Sequence, residues 1–105
     1  MDPPDCIMVF CTAQAGDAEN LAVSLVNARL AACVNVVDVR SCFWWEGAVS
    51  TEDERLLIMK TQHRLLDPLI ERIRGQHTYD LPEIIAIPII GGDGPYLNWI
   101  REETG

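Results

Sequence analysis

The apolar pattern begins with Ile7-Met8-Val9-Phe10-Cys11-Thr12-Ala13, a continuous β-branched run of the kind carried by a strand covered on both faces. Gly16-Asp17 then starts a helix with Asp17 as its N-cap, and Ala18, Leu21, Ala22, Leu25 and Ala28 follow the i, i+3, i+4, i+7 stripe of an amphipathic helix. Val34-Asn35-Val36-Val37-Asp38-Val39 predicts a second strand, continuing in broken form to Phe43-Trp44-Trp45. Glu46-Gly47 supplies a hairpin turn, and the return strand runs from Ala48 to Thr61, most buried over Arg55 to Met59. Leu66, Leu69, Ile70 and Ile73 mark a second helix, with Asp67 near its start, Pro68 in its first turn and Gly75 just past its end. A polar loop, Gln76 to Asp80, leads to a last strand from Glu83 to Ile90, and Asp93-Gly94-Pro95 opens a short terminal helix carrying Tyr96, Leu97 and Ile100.

The order β-α-β-β-α-β plus a terminal helix defines an α+β, ferredoxin-like fold: an antiparallel sheet, two helices on one face and an extended hairpin between the second and third strands. The fourth strand falls at a sheet edge in this topology, which is where Pro88, lacking an N–H to donate, is tolerated. The hairpin is long for the chain. Strands of roughly 14 residues at about 3.3 Å each span on the order of 45 Å, whereas a globule of this size has a diameter of only about 35 Å. Phe43, Trp44 and Trp45 therefore project beyond the core, an apolar tip that marks an oligomer interface. The alternative is a bend: the apolar alternation shifts between Val36 and Val37, which suggests a bulge that folds the tip back.

Length and charge narrow the class. The 105 residues form one domain, 1–105, with an acidic, Pro-rich N-terminus (residues 1–5) expected to be disordered and not to act as a secretory leader. Sixteen acidic against eight basic residues leave a net charge of −8, which repels nucleic acid and anionic membrane surfaces. No apolar stretch is long enough to span a membrane. Cys6, Cys11, Cys33 and Cys42 form no Cys-x-x-Cys pair and read as free thiols, placing the chain in a reducing, cytoplasmic compartment. An acylphosphatase-type enzyme on this fold needs an anion-cradling loop with an arginine after the first strand. Thr12-Ala13-Gln14-Ala15-Gly16-Asp17 has one glycine, no arginine and an acidic residue, so no enzyme and no organic cofactor is expected.

Five segments carry a resemblance: Leu30-Ala31-Ala32-Cys33-Val34-Asn35, Phe43-Trp44-Trp45-Glu46-Gly47, Leu57-Ile58-Met59-Lys60-Thr61, His77 through Ile85, and Tyr96-Leu97-Asn98-Trp99-Ile100. In this order and spacing the chain resembles the CutA family of divalent-cation-tolerance proteins from about Ile7 to Glu102. The resemblance implies a homotrimer similar in architecture to PII signalling proteins, and a role in cation tolerance with copper and other divalent metals as ligands. Three positions depart from the family pattern: Phe43 for Tyr, Ala48 for Lys after the hairpin glycine, and Thr78 for Pro after the loop histidine, the last expected to loosen the loop that holds His77.

The same resemblance implies a metal site of Cys11, His77 and Glu83. Topology makes it plausible, because the end of the first strand lies beside the start of the fourth. A thiolate, an imidazole and a carboxylate there suit Cu(II) or Zn(II). The alternative is a core cysteine, a hydrogen-bonded loop histidine and a strand-opening glutamate. The resemblance further implies a cleft between subunits, lined by Lys60, Tyr79 and Trp45 and able to hold a small anion or metabolite. The alternative for Lys60, the single lysine, is an interface ion pair with Glu52, Asp53 or Glu54. A PII-like scaffold that binds a small ligand in these clefts and a partner protein through its hairpins is the competing function; no residue identifies that protein.

Overall fold

Strand β1 (Cys6–Ala13) occupies an inner position of a four-stranded sheet ordered β2-β3-β1-β4, with β2 at Cys33–Trp45, β3 at Ala48–Gln62 and β4 at Ile84–Pro88. The computed structural model describes residues 4–105; of the N-terminal segment expected to be disordered, residues 1–3 lie outside the described residues. Within them, Asp5 is held by a bidentate pair to Arg101 (2.6 and 2.9 Å) and its carbonyl accepts from the His63 N–H. The Arg101 guanidinium lowers the Asp5 pKa.

All strand pairs are antiparallel, and α1 (Ala15–Asn27), α2 (Leu66–Gln76) and α3 (Gly94–Glu103) complete the α+β, βαββαβ-plus-helix order read from the sequence. The period-two alternation of strands sorts the side chains. Val9, Cys11 and Ala13 of β1 with Leu57 and Met59 of β3 are buried against Ala18, Leu21 and Leu25 of α1 and Leu69 and Ile73 of α2. Those two helices therefore share one face. The opposite face of β1 is only half-buried at Met8, Phe10 and Thr12, a thinner cover than the continuously apolar sequence suggested. There α3 caps one end: Gln62 donates to the Thr104 hydroxyl (2.8 Å), and the Cys6 Sγ lies 3.9 Å from the Leu97 carbonyl. Beyond α3, Val37, Ile85 and Ile87 remain exposed.

The hairpin does not bend. Its register is continuous from Cys33↔Lys60 to Trp45↔Ala48, so the bulge expected between Val36 and Val37 is absent from the pairing. Both valines are exposed. The break in alternation arises because this edge strand is uncovered on both faces, so neither parity is selected for burial. The molecule is 44 Å along its longest axis against 28 and 22 Å across, and its radius of gyration is 14.5 Å, above the ~13 Å of a compact chain this long. At the tip, Glu46 and Gly47 take φ of 51° and 81°, the two left-handed residues that a type I′ hairpin turn requires.

Three boundaries differ from the sequence reading. Helix α1 begins two residues earlier than Asp17, with Gln14 as its N-cap; Asp17 sits in the first turn, where its charge favours the helix dipole. A 3-10 turn, His63–Leu65, leads into α2, and Gly75 lies inside the last turn, with His77 closing the helix through its N–H to the Ile73 carbonyl (2.8 Å). Strand β4 is shorter than Glu83 to Ile90, but it is an edge strand and ends at Pro88. Asp93 caps α3 as expected, accepting from the Tyr96 N–H at 3.2 Å.

Candidate functional site

Where the hairpin leaves the sheet, its open face and the loop after α2 border a half-open cavity of about 680 Å³. Most of the hairpin residues that line it share one parity, with Cys42 and Trp44 the exceptions. Phe43 and Trp45 of β2 and Glu52 and Glu54 of β3 share one face, because cross-strand partners point the same way and side chains repeat every second residue. Tyr79, Asp80, Leu81 and Glu83 close the other side. Glu54 is 6% exposed and accepts a 2.8 Å hydrogen bond from the Tyr79 hydroxyl. Burial, then the Glu54 hydrogen bond and charge, raise the Tyr79 pKa, so this phenol is a proton donor at neutral pH.

The loop that supplies this wall is fastened at three points. Tyr79 holds β3 through Glu54, the Thr78 hydroxyl donates to Asp17 of α1 (3.1 Å), and the His77 ring bridges two backbone groups. Its Nδ1 accepts from the Tyr79 N–H at 3.0 Å, so Nε2 carries the proton and donates to the Thr12 carbonyl at 2.7 Å. The His77 and Tyr79 rings also lie 4.6 Å apart, centroid to centroid. Thr78, expected to loosen the loop, instead supplies one of its ties through the bond to Asp17.

Of the three residues expected to hold a metal, two are occupied otherwise. Cys11 is fully buried in the helix-side core, and burial, reinforced by the Glu83 and Glu54 charges, pushes its thiol up to about 12. The thiol stays protonated at neutral pH, while a metal ligand must be the thiolate. Both ring nitrogens of His77 serve the backbone. Glu83 is exposed and lines the cavity. Cys11 is in register with Ile84, so Glu83, one residue earlier, falls on the other side of the sheet. As placed, the three do not form a ligand set, and among the described residues no group of three or more His, Cys, Asp or Glu is arranged around one ion.

Trp45 and Tyr79 do meet at the cavity, but Lys60 does not join them within the chain. It lies twelve residues along β3 from Ala48, on the order of 40 Å at strand spacing. Its ammonium donates to the Asn35 side chain and lies 3.9 Å from the Cys33 Sγ. Within the chain the ion pairs of this sheet are Arg40–Asp53 (3.3 Å) and Arg55–Asp38 (2.9 Å), which leaves Lys60 to meet a hairpin acid only across an interface. Glu54 figures in the sequence reading only as an ion-pair partner for Lys60, not as a wall of this cavity. The signal was present: Glu52 and Glu54 share parity with Leu56 and Ile58, which places two acids on an apolar sheet face.

The class is therefore an α+β, ferredoxin-like chain with a straight overhanging hairpin and an acidic, aromatic-walled cavity at its root. The family description "CutA1 divalent ion tolerance protein" matches residues 6–103, and the chain belongs to this family. It is 47% identical over 100 residues to Protein CutA 1, chloroplastic, of Oryza sativa subsp. japonica, covering 93% of this chain and 56% of that protein. To the divalent-cation tolerance protein CutA of Thermus thermophilus it is 45% identical over 89 residues, covering 84% of this chain and 86% of the relative. The chain thus spans about half the length of the plant relatives it matches, and most of the bacterial one. The crystal structure of CutA1 from Oryza sativa superposes with a TM-score of 0.94 at 44% identity, over 98% of this chain and 96% of that one.

Proposed function

We propose that this chain serves divalent-cation tolerance as a non-catalytic, cation-binding protein that works as a homotrimer in the cytoplasm. The match of residues 6–103 to a family described by divalent ion tolerance carries the reading. The half-covered sheet face, with Val37, Ile85 and Ile87 exposed, and the overhanging tip of Phe43, Trp44 and Trp45 support association. The four free cysteines support a reducing compartment. Among the described residues no helix is long and apolar enough to cross a membrane.

The ligands to test are Cys11, His77 and Glu83, with Cu(II) or Zn(II) as the ion. Binding there requires the Cys11 thiol to lose its proton and one His77 nitrogen to leave its backbone partner, so the loop from His77 to Glu83 must move. A Cu(II) or Zn(II) titration of the parent chain against Cys11→Ser, His77→Ala and Glu83→Gln, with light scattering for the oligomer, tests both parts. Tighter binding in the parent than in each variant supports the ligand set; equal affinity in all four overturns it, and a monomer at every concentration overturns the trimer.

A second reading, a PII-like trimer that takes a small ligand at a subunit cleft and a partner protein through its hairpins, is favoured by one observation. Trp45 and Tyr79 wall a ligand-sized cavity at the hairpin root. Lys60 enters such a site only from a neighbouring subunit.

A further inference from the structure

We propose that the cavity at the hairpin root binds an organic ammonium ion. Its lining includes four carboxylates, those of Glu52, Glu54, Asp80 and Glu83, and among the described residues no lysine or arginine. Such a site repels anions and attracts cations. Glu54 makes the demand specific. It is 6% exposed, its hydrogen-bond partner is the neutral Tyr79 phenol, and it forms no ion pair among the described residues. Arg55, next in the chain, turns to the opposite face of β3 and pairs with Asp38. A buried carboxylate without a counter-charge is unfavourable, and a cationic guest supplies that charge.

Size and walls select the kind of cation. About 680 Å³ lies within the range of small-molecule sites and far exceeds the space of one coordinated ion. The carboxylates are spread around this volume rather than gathered on a point, in keeping with the absence of a metal-holding group among the described residues. Phe43, Trp45 and Tyr79 contribute aromatic faces, whose negative quadrupoles hold alkylammonium groups without coordinating them. A guest with diffuse positive charge and apolar surface satisfies both sets of groups. This cavity is the one the second, PII-like reading invokes, so the inference rests on that reading. It shares Glu83 with the metal ligands to be tested and Phe43 and Trp45 with the associating tip, and Glu54→Gln and Lys60→Ala tell these cases apart.

Tetramethylammonium is the probe, with sodium at matched ionic strength as control, read by tryptophan fluorescence and by native mass spectrometry of the full chain. Saturable binding of one probe per chain is expected. Glu54→Gln, which keeps the acceptor for Tyr79, weakens it about tenfold. Glu83→Gln, at an exposed position that does not endanger folding, weakens it about threefold. A response no different from sodium, or equal affinity in the parent and both variants, overturns the proposal. Saturation that emerges only in Lys60→Ala also overturns it, because the cavity is then filled by the lysine of a second copy. The same mass spectra give the oligomeric state, which keeps failure of the trimer distinct from failure of the site.

Discussion

Strand β3 crosses two environments without a break in its pairing. From Leu56 to Gln62 it alternates between buried and half-buried residues beneath α1 and α2; from Ala48 to Asp53 it pairs with β2 in the open, and most of its side chains are exposed. The ladder is the same in both halves, but its support is not. The inner half is held by packed apolar side chains, whereas the outer half relies on backbone hydrogen bonds, a left-handed turn and the Arg40–Asp53 pair of exposed residues. Backbone pairing alone therefore extends the hairpin about as far as the sequence arithmetic requires, but leaves it without a core of its own. The cavity forms where one regime passes into the other.

The largest test of this contrast removes packing from the inner half. Leu57→Ala, at a fully buried position, should lower unfolding free energy by about 2–5 kcal/mol in urea titrations. Trp44→Ala, at a 73%-exposed position on the hairpin, should shift the denaturation midpoint of a dilute sample little; a loss rivalling that of Leu57→Ala would mean that the hairpin has a core after all. Next is the turn. Gly47→Ala forces a side chain into φ +81° and should cost about 1 kcal/mol, read in the same titration.

Alkaline pH separates the two halves further. The Cys11 thiol titrates near 9 when unfolded and near 12 when folded. Its stabilising contribution is fully present below pH 9 and is lost as pH rises toward 12, because only the unfolded chain gains by deprotonation in that window. Cys11→Ala should flatten this alkaline decline in a pH series of thermal melts; an unchanged slope would show that another group carries it. In the native state a thiol reagent should label exposed Cys42 on the hairpin well before Cys6 or Cys11. The smallest effect belongs to Arg55→Ala, which removes a pair whose members are 31% and 83% exposed and should cost under about 1 kcal/mol.

The element order was legible because each element carries its own local signal: the stripe of Ala18, Leu21, Ala22 and Leu25, the Glu46-Gly47 turn, the Asp93 cap and the edge-seeking Pro88 all act within a few residues. The helix starts were less legible. Asp17 has the chemistry of an N-cap, but it is drawn into the first turn and its oxygen is taken by Thr78, sixty-one residues away. The same limit governed the site. Cys11, His77 and Glu83 belong to neighbouring elements, and adjacency was correctly anticipated. Which way each side chain faces depends on a one-residue register and on backbone groups that no motif records.

By itself, the sequence determined the fold class, the length of the hairpin and the kinship with divalent-cation-tolerance proteins, since these follow from periodicity, strand length and motif order. The continuous register that rules out the bulge came from the structure. Only the tertiary structure decided that the Cys11 thiol is sealed in the core, that His77 spends both nitrogens on the backbone, that Lys60 stands far from Trp45 and Tyr79, and that Glu54 lies buried beside a phenol. Those outcomes turn on burial and on hydrogen-bond partners brought together from opposite ends of the chain. Burial and partners, in turn, set whether a thiol, an imidazole or a carboxylate is free to act.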